Sequence, residues 1–236
     1  MLLYIIRHGA PDYSTDTLLP EGKIQAELLS HRLLESGIDE IHCSPQGRAQ
    51  ETAEPTAKLL NLPIITEPWA YELNLESKTA FPDGQLKTIS CLTTPYLHSP
   101  DFRGLSIEEG LAQIPGLCET GFPQRYRELS EGLDDLLSRL GYDRNEQGFY
   151  DVREGNDRHI ALFCHCGNCR VMLSHLLHIP YQFFGATLMK GFTGVTVLHF
   201  GTGAKAVCPE LISYGDVGHL YGAGNPPTHP MFKIPY

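Results

Sequence analysis

The sequence predicts an α/β fold: a three-layer sandwich with a mostly parallel central sheet, helices on both faces and an inserted lid region. Three observations predict it. Short apolar runs alternate with longer helical patterns, and a strand–helix rhythm implies parallel strands covered on both sides. The chain has 236 residues, 42% of them hydrophobic, enough to bury one sizeable core. A stretch from 74 to about 120, rich in Pro, Gly, Ser and Thr, then breaks the rhythm, and so long a loop in a compact domain is usually functional.

Residues 2 to 6, "LLYII", are short, apolar and partly β-branched, as in a buried strand. "PEGKIQAELLSHRLLESG", residues 20 to 37, opens on Pro20 and Glu21 and closes on Gly37, which predicts a helix. "IDEIHCS" predicts a strand, "QGRAQETAEPTAKLLNL" a helix disturbed by Pro55, and "PIITEPWAYEL" another extended stretch. In the insertion, about 74–124, only "SIEEGLAQI" suggests a helix. From Gln124, Tyr126, Leu129, Leu133, Leu136, Leu137 and Leu140 recur every three or four residues, the stripe of a core-facing helix. "GFYDVREGNDRHIALFCH" is expected to be a hairpin turning at "EGND", with Ile160 to Cys164 as its buried second arm. "GNCRVMLSHLLHIP" predicts a helix ended by Pro180, and "GVTVLHF" and "AKAVCPELIS" two late strands. The tail from about 219 to 236 is Pro-rich and expected to be irregular; it could wrap a neighbouring copy in a homo-oligomer. The whole chain, 1–236, is expected to form a single domain.

Charge narrows the function. The formal net charge is −10 and no basic block occurs, which argues against nucleic acid or an anionic membrane as the partner. No apolar stretch reaches bilayer-spanning length, and "MLLYII" lacks the form of a signal peptide, so a cytoplasmic protein is expected. Seven cysteines do not suggest a disulfide framework in a chain this long.

Two histidines share a setting. His8 follows the apolar run 2–6 and His165 follows 160–164, each with a glycine close behind (Gly9; Gly167). Ligands of open parallel sheets bind at the carboxyl ends of strands. Arg7 adjoins His8, and Arg48 lies past a third strand end in "HCSPQGRAQETA". Two arginines and two histidines at one end of a sheet make a positive pocket suited to phosphate. "CHCGNC" also admits a zinc reading through Cys164, Cys166, Cys169 and His165. Against it, Cys164 and Cys166 alternate with His165 on a strand, so they point away from it. Small packing residues, with thiols exposed to oxidation by a positive pocket, are the plainer reading.

"RHG" at 7–9, "LLPEGKIQAELLS", "CSPQGRAQETA", "FCHCGNCRVML" and "SYGDVGHL" occur in the order of the histidine phosphatase superfamily, which includes the phosphoglycerate mutases. The chain resembles that family from residue 2 to about 220, apart from the region after Glu76. The resemblance implies a phosphoric monoester hydrolase acting on a small phosphorylated metabolite without cofactor or metal. His8 would be the nucleophile that forms a phosphohistidine, with its other ring nitrogen donating to a nearby carbonyl. Arg7, Arg48, His165 and the Cys166 backbone N–H would hold the phosphoryl oxygens. A carboxylate about twenty residues after Thr52 would be the general acid; that count reaches Glu72, with Glu67 and Glu76 as rivals. His219 matches a family position of structural use. His31, His42, His175, His178 and His199 receive no role.

The chain departs from the family's "RHGxTxxN" by carrying Pro11 and Ser14 at two of those places. Pro11, Tyr13 and Ser14 are therefore the candidates for substrate specificity. The insertion shows no paired arginines for a second acidic group, which favours a phosphatase over a phosphoglycerate-type mutase. A non-catalytic phospho-ligand binding protein is a third reading, disfavoured because the histidines, arginines and an acid are all retained.

Overall fold

In a computed structural model, which describes residues 1–73, 75–77, 87–88, 120–181 and 191–221, the first apolar run forms β1 (Leu2–Arg7). A small hairpin, β2 (Pro11–Asp12) and β3 (Thr17–Leu18), leads into α1 (Pro20–Ser36). β4 (Glu40–Cys43), α2 (Gly47–Leu60) and β5 (Ile64–Thr66) follow, then a 3-10 turn at Pro68–Ala70. β6 (Glu76–Ser77) and β7 (Lys87–Thr88) pair with each other. α3 (Phe122–Arg139) precedes β8 (Tyr142–Arg144) and β9 (Tyr150–Val152). β10 (His159–Cys164) runs into α4 (Cys166–Leu177). β11 (Val195–His199), β12 (Ala206–Val207), β13 (Glu210–Asp216) and the single turn α5 (Gly218–Tyr221) complete the described chain.

The main sheet has the order β13-β11-β1-β10-β4-β5. β1, β10, β4 and β5 pair in parallel, whereas β11 and β13 join antiparallel beyond β1. Period-2 alternation divides β1 between two cores. Leu3 and Ile5, with their register partners Ile160 and Leu162, pack against α3 and α4 through residues such as Leu129, Leu133 and Met172. Tyr4 and Ile6, with Ala161 and Phe163, face Leu29 and Leu33 of α1 and Ala49, Ala53 and Ala57 of α2. This is the predicted sandwich, with the leucine stripe of α3 buried as its spacing requires. α2 runs through Pro55 without ending there.

The anticipated hairpin is replaced by a different pairing. β9 pairs with β8 and β12, while β10 lies between β1 and β4. Every side chain from Ile160 to Cys164 is buried, so that strand needs cover on both faces and a place inside the sheet. Only Ile64–Thr66 of "PIITEPWAYEL" is strand, because Pro68 opens the 3-10 turn. "AKAVCPELIS" splits at Cys208–Pro209 into β12 and β13. The tail begins with the α5 turn rather than irregular chain. Most of the expected lid, including "SIEEGLAQI", lies outside the described residues, as does the rest of the tail, 222–236. No helix among the described residues is long and apolar enough to cross a membrane.

Candidate active site

The carboxyl end of β1 is locked before any side chain is considered. The His8 N–H donates to the Cys164 carbonyl (3.0 Å), and the Thr193 N–H donates to the His8 carbonyl (3.2 Å). Gly9 N–H donates to Thr52 Oγ1 (3.0 Å), whose hydroxyl donates to the Arg48 carbonyl (2.7 Å). Ala10 N–H donates to Gln25 Oε1 of α1 (2.9 Å). A methyl group at Gly9 would lie 2.8 Å from the Gly22 carbonyl oxygen, so "RHG" and "EGK" need glycine for this approach of strand end to helix.

The His8 ring is buried, with Nδ1 2.7 Å from the Gly9 carbonyl. A carbonyl only accepts, so Nδ1 carries the proton and Nε2 is left with its lone pair. Nε2 has no hydrogen-bond partner among the described residues. Burial, then the charges of Arg7 and Arg48, hold the imidazole well below its usual pKa, and it is neutral. The Phe192 ring stands 5.9 Å from the His8 ring and 4.2 Å from the Arg7 guanidinium carbon.

His165 is the residue before α4, so it meets His8 at a helix N-terminus, a setting that favours anions. The two rings are 5.2 Å apart. His165 Nε2 lies 2.7 Å from Ser44 Oγ, while Nδ1 has no hydrogen bond among the described residues and is 3.8 Å from Glu72 Oε2. Burial, then His8, Arg48 and Arg7, push His165 well below its usual pKa.

Arg48, at the start of α2, is buried and pairs with the Asp16 carboxylate. Asp16 also accepts the Gly47 N–H (2.7 Å). Tyr13, 67% exposed, places its ring 5.5 Å from the Arg48 guanidinium carbon. The Ser14 hydroxyl donates to Asp12 (2.6 Å), and Pro11 is buried in the β2–β3 pairing opposite Leu18. Of the three specificity candidates, Tyr13 is the one the structure sets beside a site cation.

Glu72 is 14% exposed, and its Oε1 accepts the Leu73 N–H (2.9 Å). A methyl at Gly167 would sit 2.9 Å from that oxygen, which explains glycine after Cys166. Cys166 itself, the first residue of α4, is only partly buried. Burial raises the Glu72 carboxyl above its usual pKa, against the pull of the Leu73 backbone, Arg48 and Arg7. Its rivals differ. Glu67 is held by His42 (2.8 Å), Arg139 (2.7 Å) and Trp69 (2.7 Å). Burial works to raise Glu67, but those hydrogen bonds win and bring it to about 2, so it cannot hold a proton to give. Glu76 is exposed on β6.

Several residues of this constellation carry no signal of a role in the sequence alone. Ser44 and Asp16 orient His165 and Arg48; Arg125 and Asn168 hold the loop before Glu72. Arg125 Nη2 donates to the carbonyls of Trp69 (2.7 Å) and Tyr71 (2.5 Å), and Asn168 Nδ2 to those of Ala70 (2.7 Å) and Tyr71 (3.0 Å).

One ligand atom each of His8, Glu72 and His165 lie within 4.8 Å of one another, close enough to share a cation. The same arginine charges that lower both histidines oppose a divalent ion there. Cys164 and Cys169 bring their sulfurs to 3.9 Å, but among the described residues the "CHCGNC" side chains do not form a ligand cluster with His165.

The family model of the histidine phosphatase superfamily (branch 1) matches residues 3–79. A probable phosphatase of Schizosaccharomyces pombe is 27% identical over 237 residues, spanning 93% of this chain and 95% of its own length. A crystal structure of a phosphoserine phosphatase mutant from Entamoeba histolytica, in complex with phosphoserine, matches with a TM-score of 0.62 at 20% identity, over 93% of this chain and 98% of that one. A mycobacterial glucosyl-3-phosphoglycerate phosphatase in complex with VO3 gives 0.56 at 18%, over 90% and 98%. At such identities the solved structures speak for the fold alone. The chain is thus similar over its first third to the histidine phosphatase superfamily (branch 1), and over nearly its whole length to a probable phosphatase.

Proposed function

We propose that this protein is a metal-independent phosphatase that hydrolyses a small phosphomonoester through a phosphohistidine on His8. The observation that carries the reading is the His8 ring itself: Nδ1 tied to the Gly9 carbonyl, Nε2 unpartnered, and both flanked by buried Arg7 and Arg48. A neutral imidazole with a free lone pair beside two fixed cations is arranged to attack phosphorus and to stabilise the charge that develops on its oxygens.

In the first step the Nε2 lone pair forms the N–P bond as the P–O bond to the alcohol breaks. Glu72, protonated because burial raises its carboxyl, gives its proton to the departing alkoxide. Arg7, Arg48 and His165 hold the three non-bridging oxygens, with the N-terminal N–H groups of α4 beside them. In the second step water attacks phosphorus, the Glu72 carboxylate takes its proton, and the N–P bond breaks to return the pair to Nε2. Inorganic phosphate leaves.

The full-length fission yeast relative is named a probable phosphatase, which supports hydrolysis over phosphoryl return to substrate. Tyr13 and Asp16, the described residues set beside Arg48, supply no cation for a second acidic group, which supports a substrate with one phosphate on a neutral or polar remainder. Phosphate release from a panel of phosphorylated metabolites, run beside 3-phosphoglycerate with 2,3-bisphosphoglycerate, tests both points. A mutase returns the isomer instead of free phosphate. His8→Ala is expected to lose at least about a thousandfold in kcat, and turnover at the parent level in that variant refutes the proposal.

A further inference from the structure

Among the described non-glycine residues with a left-handed backbone, Thr193 (φ 53°) is the one with a β-branched side chain. It occupies the third position of a turn in which the Gly194 N–H donates to the Gly191 carbonyl (3.1 Å), a position where positive φ favours glycine. Strain of this kind persists only where its surroundings enforce it, and it gathers at functional sites. This turn closes on β1. Thr193 N–H donates to the His8 carbonyl (3.2 Å), and Arg7 N–H donates to the Gly194 carbonyl (3.2 Å). Between them Phe192 lays its ring on the Arg7 guanidinium (4.2 Å) and beside the His8 imidazole (5.9 Å).

The buried Thr193 hydroxyl donates to the Phe192 carbonyl (2.7 Å) and lies 3.0 Å from His219 Nε2. On its other side the His219 ring presents Nδ1 to Arg32 Nη1 (3.5 Å), a group that can only donate. Nδ1 therefore accepts, and Nε2 carries the proton and donates to Thr193. Arg32 is in turn fixed by Asp216 (2.6 Å). A chain of contacts thus runs from α1 and β13 through α5 to the backbone of the residue after β1.

We propose that Thr193 and His219 are positioning residues: their hydrogen bond holds the strained turn that fixes the His8 backbone and seats Phe192 against Arg7 and His8. This rests on the phosphatase reading of the same site. The position of Nε2 relative to phosphorus then depends on a hydroxyl that touches no substrate.

The test compares Thr193→Val, Thr193→Ser and His219→Ala with the parent, using an aryl phosphate and inhibition by orthovanadate and by inorganic phosphate. Vanadate in a five-coordinate state needs Nε2 in line, whereas phosphate needs only the anion-binding groups. Thr193→Val and His219→Ala are expected to lower kcat about tenfold with KM within about twofold. Vanadate inhibition weakens in parallel, phosphate inhibition holds, and Thr193→Ser restores both. If Thr193→Val does not fold, His219→Ala carries the same comparison. Parent-like kcat in Thr193→Val and His219→Ala, equal weakening toward both anions, or a loss that serine does not rescue overturns the positioning role. A parent that releases phosphate from no ester refutes the phosphatase reading instead.

Discussion

Ser44 Oγ lies 2.7 Å from Nε2 of His165. The Gln46 N–H donates to the same oxygen (3.3 Å), whose second lone pair and own proton are both open to the imidazole. When the serine gives its proton to Nε2, the ring proton of His165 sits on Nδ1, which has no hydrogen bond among the described residues and looks toward Glu72. That tautomer can donate to a phosphoryl oxygen. Ser44→Ala frees the ring to take the other tautomer and is expected to lower kcat/KM about tenfold, mostly through kcat. Steady-state kinetics on an aryl phosphate check it; an unchanged kcat means the serine does not set the tautomer.

In the proposed mechanism Glu72 and His8 set opposite limbs of the pH profile. Phosphoryl transfer needs His8 unprotonated, and its pKa is depressed, so the acid limb falls only well below pH 6.5. It also needs Glu72 protonated, and its pKa is raised, so the alkaline limb begins above pH 4.5. Glu72→Gln is expected to cost about a hundredfold with an alkyl phosphate. With 4-nitrophenyl phosphate the loss in the first step is far smaller, because a nitrophenolate leaves without a proton. Burst kinetics separate that step from the second; equal losses with both esters exclude Glu72 as the proton donor.

The strands and helices that carry His8, Arg48 and His165 are legible because each is a short apolar run followed by a punctuating motif. "LLYII" before "RHG" and "HIALF" before "CHCG" are buried on both faces, and their continuous apolar character alone places them inside the sheet. The expected β9–β10 hairpin fails because a turn signal at "EGND" fixes where the chain bends and not which strand receives it. Ser44, Asp16, Arg125 and Asn168 are hidden for another reason. Each acts on a residue remote in sequence, 121 positions away for Ser44 and His165, and no local spacing records such a contact. Glu72 can be counted to, but its rival Glu67 is eliminated only by the His42, Arg139 and Trp69 bonds that the fold assembles.

Asn168 supports the Glu72 loop from the first turns of α4. Its amide donates to the Ala70 and Tyr71 carbonyls, and Asn168→Ala leaves both dependent on their remaining partners. A loss of about 1–3 kcal/mol in stability is expected from buried acceptors left short of a donor. Because the loop ends at Glu72, kcat with an alkyl phosphate should fall more than kcat with the nitrophenyl ester. Denaturant melts and the ratio of the two rates measure these effects, and an unaltered ratio assigns Asn168 to stability alone.

Chelation distinguishes the cation-sharing geometry of His8, Glu72 and His165 from its use. The arginine charges that depress both histidines also repel a divalent ion. Turnover is therefore expected to survive dialysis against EDTA and to be unchanged when zinc is added back in equimolar amount. Loss of activity on chelation, restored by one metal, reverses this prediction.

Glu72 also ties catalysis to stability. Its folded pKa lies above the unfolded 4.5, so the folded protein holds the proton more tightly than the unfolded chain does. The resulting stabilisation is present below pH 4.5 and is lost as pH rises through the folded value, where burial penalises the carboxylate. Glutamine keeps the oxygen that accepts the Leu73 N–H and removes the charge. Glu72→Gln is thus expected to raise the melting temperature at pH 7 by a few degrees, the response of a chain this long to a gain of about 1 kcal/mol. The gain should shrink toward zero as pH approaches 4, where the parent carboxyl is already neutral. A variant less stable than the parent at pH 7 would show that the ionised carboxylate contributes more through Arg7 and Arg48 than burial takes away.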